Sequence, residues 1–181
     1  MDRETTTAAE LPKRKNNRLK CYDYSENGGY FITICTEQRK PLLSRIADIA
    51  VSHTGNAVYQ PIPKITLTEI GSIVADAISE IPKRYEGVFA DASVIMPNHV
   101  HMMLRIEKEG RRAMPVPTDR PTLSRIIQHF KGTVTKRAHT VVWQSHFYDH
   151  VIRNKTDYLD CMRYIEENPL KWLLRQDEYA I

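Results

Sequence analysis

The sequence is poor in cysteine and has no long hydrophobic run. Its 181 residues include only three cysteines, Cys21, Cys35 and Cys161, which lie far apart and form no Cys-x-x-Cys pair. We therefore expect neither a disulfide scaffold nor a structural zinc knuckle, and a reducing cytoplasm is the expected compartment. No apolar stretch approaches the length of a membrane span, and residues 1–10 are mostly polar, so neither a membrane anchor nor a secretory signal is expected.

Glycine-rich nucleotide-binding motifs are also missing. Gly28 and Gly29 are adjacent, but no Gly-x-Gly-x-x-Gly or Walker pattern follows them, so they predict a turn rather than a phosphate cradle. The composition, 41% hydrophobic and 27% charged, is typical of a soluble globular protein. Residues 1–20 lack apolar periodicity, so we expect them to form a flexible basic arm. The chain shows no internal repeat or low-complexity tract, and we expect a single domain over residues 21–181.

Basic residues are present in a modest excess, giving a net charge of +4, and they are clustered. Such clusters suit a polyanion, and an ordinary solvated basic face explains them equally well. The candidates for phosphate contacts are Lys13, Arg14, Lys15, Arg18, Lys20, Arg111, Arg112, Lys131, Lys136 and Arg137.

Hydrophobic periodicity predicts alternating strands and helices. Strands are predicted over residues 30–36, 88–96, from His99 onward, and over 147–152, with 141–143 also strand-like. Helices are predicted from Thr68 to Pro82, after Thr122, and from Lys155 to about Asn168 with Asn154 as its cap. Short apolar runs over residues 45–67 predict a small hairpin or a loop. The order β-α-β-β-α-β plus a last helix predicts an α+β, ferredoxin-like or RRM-like fold, with an antiparallel sheet and two helices on one face.

The predicted strand that begins at His99 carries the pattern most suggestive of chemistry. Side chains alternate along a strand, so His99 and His101 share one face while Val100 and Met102 face the core. Two imidazoles held side by side make half of a metal site. Composition alone gives about 0.2 His-x-His pairs in a chain of this kind, so the pair needs support from its surroundings.

The predicted last helix offers a second candidate pair. Tyr164 and Asn168 stand four residues apart and therefore share one flank, beside an apolar stripe that includes Tyr158 and Ile165. Spacing alone favours a tyrosine at the edge of the core with its hydroxyl in water.

Three blocks of sequence, taken in order, resemble the HUH single-tyrosine transposases, and above all the REP-associated tyrosine transposases and their insertion-sequence relatives. Residues 18–24 and 29–36 look like the first strand of that family, and Met96-Pro97-Asn98-His99-Val100-His101 looks like its motif of two histidines around a hydrophobic residue. Its closing segment is matched by short pieces at residues 143–144, 147–154, 157–158, 164–165 and 168–169. The resemblance implies a metal-dependent transposase that cleaves and rejoins single-stranded DNA through a 5′-phosphotyrosine intermediate.

The resemblance also implies roles for individual residues. Tyr164 would be the nucleophile, and His99, His101 and Asn168 would bind a divalent metal, Mg²⁺ or Mn²⁺. The expected partner is single-stranded DNA with hairpin-forming palindromic repeats, bound by a monomer or by a homodimer that exchanges the tyrosine helix. From their place in the strand predicted over residues 147–152, His150 and Asp149 are candidates for a second shell around the metal.

Two other functions remain open at this stage. A non-catalytic module that binds single-stranded nucleic acid on an RRM-like sheet would need aromatic residues on an open sheet face, and residues 88–106 offer only Phe89. A hydrolytic metalloenzyme would use His99 and His101 with water, but no acidic residue continues the motif as His-x-His-x-Asp.

Overall fold

A computed structural model describes residues 27–49, 61–107 and 122–178 of the chain, and side chains as far as Arg175. The predicted arm over residues 1–20 lies outside the described residues, together with Lys13, Arg14, Lys15, Arg18, Lys20, Arg111 and Arg112. The strands are β1 (Gly28–Cys35), β2 (Ser44–Asp48), β3 (Pro63–Leu67), β4 (Val88–Ile95), β5 (His99–Ile106) and β6 (Tyr148–Ile152). The helices are α1 (Glu69–Arg84), α2 (Leu123–Ala138) and α3 (Lys155–Glu178), and a short 3₁₀ turn covers Glu37–Arg39.

Four strands form an antiparallel sheet in the order β4-β5-β1-β6. This is the order of the ferredoxin-like fold, so the predicted α+β class is confirmed. The predicted hairpin of β4 and β5 is present, and β5 also pairs with β1, which places His101 opposite Thr33 and His99 opposite Cys35. Gly28 and Gly29 lie in β1 rather than in the predicted turn, and the segment at 141–143 makes only a single bridge, between Trp143 and Thr36.

The segment predicted as a small hairpin or a loop contains a separate two-stranded sheet. Strands β2 and β3 pair antiparallel, with Ile46 opposite Ile65. Both isoleucines are partly buried against α3. The hairpin therefore packs on the last helix and supports it from the side.

Side-chain caps begin the helices where the sequence predicts them. The Oγ1 of Thr68 accepts a hydrogen bond from the N–H of Gly71, and the Oγ1 of Thr122 accepts one from Arg125. The Oδ1 of Asn154 accepts the N–H of Asp157, at 2.9 Å. Each cap satisfies a backbone donor that has no partner within the first turn of its helix.

Two predicted helix ends are wrong. Helix α1 passes through Pro82 to Arg84, and α3 passes through Pro169 to Glu178. A proline removes one backbone donor from a helix, a local cost that tertiary packing can outweigh. In α3, burial of Pro169 and Leu173 provides that packing.

The sheet separates two hydrophobic clusters. The larger one includes Val100, Met102 and Leu104 from β5 and lies under α1 and α2. The smaller one packs Met103 of β5 against Cys161 and Ile165 of α3, so the last helix covers the other face of the sheet, the face of His99 and His101. No helix within the described part of the chain is both long and apolar enough to cross a membrane.

Candidate active site

The two histidines of β5 lie side by side on the sheet face that α3 covers. Their ring centroids are 4.6 Å apart, with the ring planes at 73°. His101 is buried, at 4% exposure, and His99 is partly buried. Strand alternation produces this arrangement, because the residues between and beyond them, Val100 and Met102, point into the larger core.

One nitrogen of each imidazole is held by a neighbouring side chain. The Nδ1 of His99 lies 2.7 Å from the Oδ1 of Asn98, which can only accept, so Nδ1 donates and Nε2 keeps its lone pair. The Nδ1 of His101 lies 2.8 Å from the Oγ1 of Thr33. The Nε2 of His101 is buried without a hydrogen-bond partner among the described residues. A buried nitrogen in that condition is costly, and a metal cation is a ligand that would satisfy it.

Both histidines are neutral at pH 7. Burial, together with the nearby charge of Arg39, lowers the pKa of His99 to about 4, although a hydrogen bond with the side chain of Asn168 acts in the opposite direction. Burial and, to a smaller extent, the neighbouring His99 lower the pKa of His101 to about 3. A neutral imidazole is the form that binds a metal.

Helix α3 brings Tyr164 and Asn168 to the histidine pair. The ring of Tyr164 lies 5.2 Å from that of His101 and 5.7 Å from that of Phe31, between centroids. Phe31 itself stacks on His101 at 5.1 Å, with the planes at 26°. Tyr164 is 43% exposed, which leaves it accessible to a substrate, whereas Asn168 is buried at 8%. Both come from the same chain as the histidines.

These four residues line one open pocket of about 350 Å³. Three cationic residues that the sequence analysis missed, Arg39, Lys171 and Arg175, line the same pocket. Lys171 and Arg175 follow Tyr164 by seven and eleven residues, so helical spacing would have found them if the helix had been continued past Pro169. Nothing in the sequence pattern indicates Arg39, which comes from the turn after β1.

The two candidates for a second shell lie on opposite faces of β6. His150 stands opposite Phe31 in the register, on the face of the site. Its Nε2 lies 2.8 Å from a carboxylate oxygen of Asp157, so it ties β6 to the first turn of α3. Asp149 stands opposite Ile32, a residue of the larger core, so the register turns it away from the histidine pair.

Asp157 is also close to the thiol of Cys161, and these two residues and His150 have potential ligand atoms within 4.8 Å of one another. The carboxylate of Asp157 already accepts the N–H of Arg153 at 3.0 Å in addition to the contact with His150. Protein donors thus occupy both oxygens of Asp157 in this cluster, which anchors the start of α3.

The predicted phosphate contacts on α2 are not brought to the pocket. The ammonium group of Lys131 donates to the carbonyls of Gln144 and Ser145, at 2.6 and 3.0 Å. Arg137 forms an ion pair with Glu80, at 2.8 Å. Lys136 is exposed on the same helix, which packs on the opposite face of the sheet from the site.

Comparisons with known proteins give one relative by sequence and a match by fold. No protein-family model matches the sequence. A protein of Haemophilus influenzae, described as uncharacterized, is 31% identical over 189 residues, and the alignment covers 96% of each chain. A solved structure of the REP-associated tyrosine transposase bound to a REP hairpin matches with a TM-score of 0.58 and 21% identity, over 87% of this chain and 74% of that chain. At that identity the likeness is one of fold, and it agrees with the fold that the sequence resemblance implied.

Proposed function

Since this chain belongs to one family with the Haemophilus influenzae protein and has the fold of a tyrosine transposase, we propose that it cleaves and rejoins single-stranded DNA. The observation that carries the proposal is the position of Tyr164, whose ring lies 5.2 Å from that of His101 in a pocket shared with His99 and Asn168. This arrangement combines a nucleophile with candidate metal ligands, a combination that can support phosphoryl transfer to a side chain.

In the proposed reaction the oxygen of Tyr164 attacks a backbone phosphorus atom. The new bond joins this oxygen to phosphorus, the bond from phosphorus to the 3′-oxygen breaks, the phenol loses its proton, and the 3′-oxygen leaves as a hydroxyl. The products are a 5′-phosphotyrosine and a free 3′-hydroxyl. Because the phosphodiester energy is retained, a 3′-hydroxyl can reverse the step and join strands without ATP.

A tyrosine needs help to perform this attack. With a pKa near 10, only about 0.1% of a free phenol is ionised at pH 7. The residues that would hold a divalent metal are His99, His101 and Asn168, and the partnerless Nε2 of His101 fits that role. When bound, Mg²⁺ or Mn²⁺ supplies polarisation of the phosphate and stabilises its developing charge. A pair of imidazoles suits Mn²⁺ better than Mg²⁺.

The surrounding side chains fix the geometry of the ligands. Asn98 and Thr33 hold the Nδ1 atoms of His99 and His101, which leaves the Nε2 of each ring as the candidate ligand atom. Phe31 packs on both His101 and Tyr164, which limits the orientations of the two rings. Such preorganisation is what a catalytic site requires of the groups around its ligands.

The substrate we propose is single-stranded DNA that carries a hairpin. The REP-associated transposase of the solved structure is described as bound to a REP hairpin, and this chain has the same fold. The two other functions considered from the sequence are less well supported. A module that stacks bases across an open sheet lacks most of that surface, because α3 packs on the second face. A hydrolase would need a base for water, and the described residues that line the pocket include no carboxylate.

The test is covalent capture of DNA. Fluorescently labelled single-stranded hairpins are incubated with the protein and Mg²⁺ or Mn²⁺, and adducts are resolved on a denaturing gel. We expect an adduct that EDTA and Tyr164→Phe abolish, with peptide mass spectrometry placing it on Tyr164. Tyr158→Phe is the matched control, since this tyrosine lies on the same helix outside the pocket. The absence of any adduct across a panel of hairpins with both metals would contradict the proposal.

A further inference from the structure

The pocket beside Tyr164 has an unbalanced charge. Arg39, Lys171 and Arg175 line it, and none of the other described lining residues is an aspartate or glutamate. A concave surface lined by one sign of charge concentrates ligands of the opposite sign. The pocket is therefore suited to an anion, and a phosphodiester backbone supplies anions at regular spacing.

Arg39 reaches this pocket through an uncommon backbone conformation. Gln38 and Arg39 have φ values of 53° and 54°, in the left-handed region that residues other than glycine seldom occupy. The turn is held from below by Thr36, which is fully buried and donates from its Oγ1 to the carbonyl of Lys40, at 2.7 Å. Unfavourable φ values persist where the surrounding structure imposes them, and they concentrate at functional sites.

Lys171 and Arg175 follow Tyr164 by about two and three turns of α3, so all three lie on the same flank. The ammonium nitrogen of Lys171 lies 5.5 Å from the centroid of the Tyr164 ring. Lys171 also pairs with Glu167 at 2.8 Å, and both side chains are nearly half exposed. Water screens such a pair strongly, so a phosphate can compete with Glu167 for the ammonium group.

An exposed aromatic ring stands at the rim of the same pocket. Tyr148, the first residue of β6, is 49% exposed and lies opposite Thr33 in the register, on the sheet face of His101. Proteins that bind single strands combine a cationic groove for the backbone with aromatic rings on which bases stack. The pocket has both components.

We propose that Arg39, Lys171 and Arg175 form a phosphate-binding wall for the strand that Tyr164 attacks, and that a base of that strand stacks on Tyr148. This inference rests on the proposed function and specifies its substrate contacts. The wall holds the backbone by charge, independently of base identity, and Tyr148 holds a base by its face.

The experiment measures binding separately from cleavage. Fluorescence anisotropy with a labelled single-stranded oligonucleotide is performed in EDTA on the Tyr164→Phe protein, over a series of salt concentrations. We expect Arg39→Gln and Lys171→Gln to weaken binding and each to reduce the slope of log affinity against log salt by about 0.7, the value for one phosphate contact on a single strand. We expect Tyr148→Ala to weaken binding by roughly 5- to 100-fold without changing that slope, while Tyr148→Phe retains affinity.

Arg163→Gln is the matched control, because Arg163 lies on the same helix, exposed and paired with Asp160. It should change neither affinity nor slope. Unchanged affinity and salt slope in both Arg39→Gln and Lys171→Gln would contradict the proposed phosphate-binding wall. Unchanged affinity in Tyr148→Ala would contradict the proposed stacking contact. A selective loss of binding in these variants supports the inference even if the parent protein forms no covalent adduct, so it and the proposed function can fail separately.

Discussion

The ring of Tyr164 stands nearly edge-on to the ring of His101, with centroids 5.2 Å apart and planes at 75°. One ring comes from α3 and the other from β5 of a single chain. The sequence analysis left open whether a partner chain supplies the tyrosine helix, and in the structure the chain's own helix occupies that position. The proposed nucleophile and the candidate metal ligands therefore all come from one chain.

This arrangement predicts that inactive variants do not complement each other. A mixture of Tyr164→Phe and His101→Ala protein, unfolded and refolded together, should form no covalent DNA adduct, because each chain pairs its own tyrosine with its own histidines. If chains exchanged the helix within dimers, random pairing would restore about a quarter of the activity. The measurement is adduct yield on a denaturing gel, and any reproducible recovery contradicts the single-chain site.

Thr33→Val should weaken the metal site without disturbing the strand. The hydroxyl of Thr33 lies 2.8 Å from the Nδ1 of His101, and valine keeps the shape and strand preference of threonine but cannot hold the imidazole. We expect Mn²⁺ affinity to fall about 10- to 100-fold, as is usual when a group that orients a metal ligand is removed. Calorimetric titration with Mn²⁺ measures this change. Thr33→Ser keeps the hydroxyl and should bind nearly as the parent does, so equal affinities for all three proteins would exclude the orienting role.

Two glycine-to-alanine changes should alter stability in opposite directions. A Cβ at Gly71 would lie 1.9 Å from the carbonyl oxygen of Leu43, so Gly71→Ala should lower the free energy of unfolding by about 1–3 kcal/mol. A Cβ at Gly132 meets nothing within 4 Å, and Gly132→Ala should raise the free energy of unfolding by about 0.5–1 kcal/mol. Urea unfolding gives both values. A stabilising Gly71→Ala would mean that α1 does not approach Leu43 this closely.

The start of α3 should give a pH-dependent contribution to stability through Asp157. The backbone N–H of Arg153 and the side chain of His150 hold the pKa of Asp157 below its usual value. Its contribution is therefore present above the ordinary pKa of 3.8 and is lost as the pH falls through the lower pKa of the folded state.

We expect Asp157→Asn to lower the free energy of unfolding by at most about 1 kcal/mol at pH 6, since the carboxylate is near the surface. The difference from the parent should shrink below pH 4. Chemical denaturation at a series of pH values measures it, with Asp160→Asn, exposed one turn further along, as a control that should change little. A difference that stayed constant down to pH 3 would contradict the assignment to this carboxylate.

Local patterns were sufficient to predict most of the fold. The alternation from Val100 to Ile106 predicted which face of β5 meets the larger core, and Thr68, Thr122 and Asn154 predicted where helices begin, because both signals act over a few residues. The predicted helix ends at Pro82 and Pro169 were wrong for the opposite reason. The continuation of α3 past Pro169 depends on burial by distant parts of the chain, which no local pattern reports.

The candidate site was only partly predictable, for a related reason. Strand alternation pairs His99 with His101 and helical spacing pairs Tyr164 with Asn168, but the roles proposed for these residues come from the resemblance to the transposase family. The position of Arg39 depends on a turn with left-handed backbone conformation, which a glutamine followed by an arginine does not predict. Alternation along β6 puts His150 and Asp149 on opposite faces, but which of the two faces meets the site depends on the register of β6 against β1, because a shift of one residue reverses the face of every side chain.

Helix α3 is fastened along its length, by the cap of Asn154 at its start and by Cys161 and Ile165, which pack against the sheet on either side of Tyr164 in sequence. In the proposed reaction a DNA strand attached to Tyr164 would be held at this position on α3. It could move relative to the helix only by rotation of the tyrosine side chain. A protein that keeps α3 in this position would not carry that strand to a new partner. Exchange would depend on the incoming 3′ end reaching the tyrosine, so the folding of the DNA itself would decide which ends are joined.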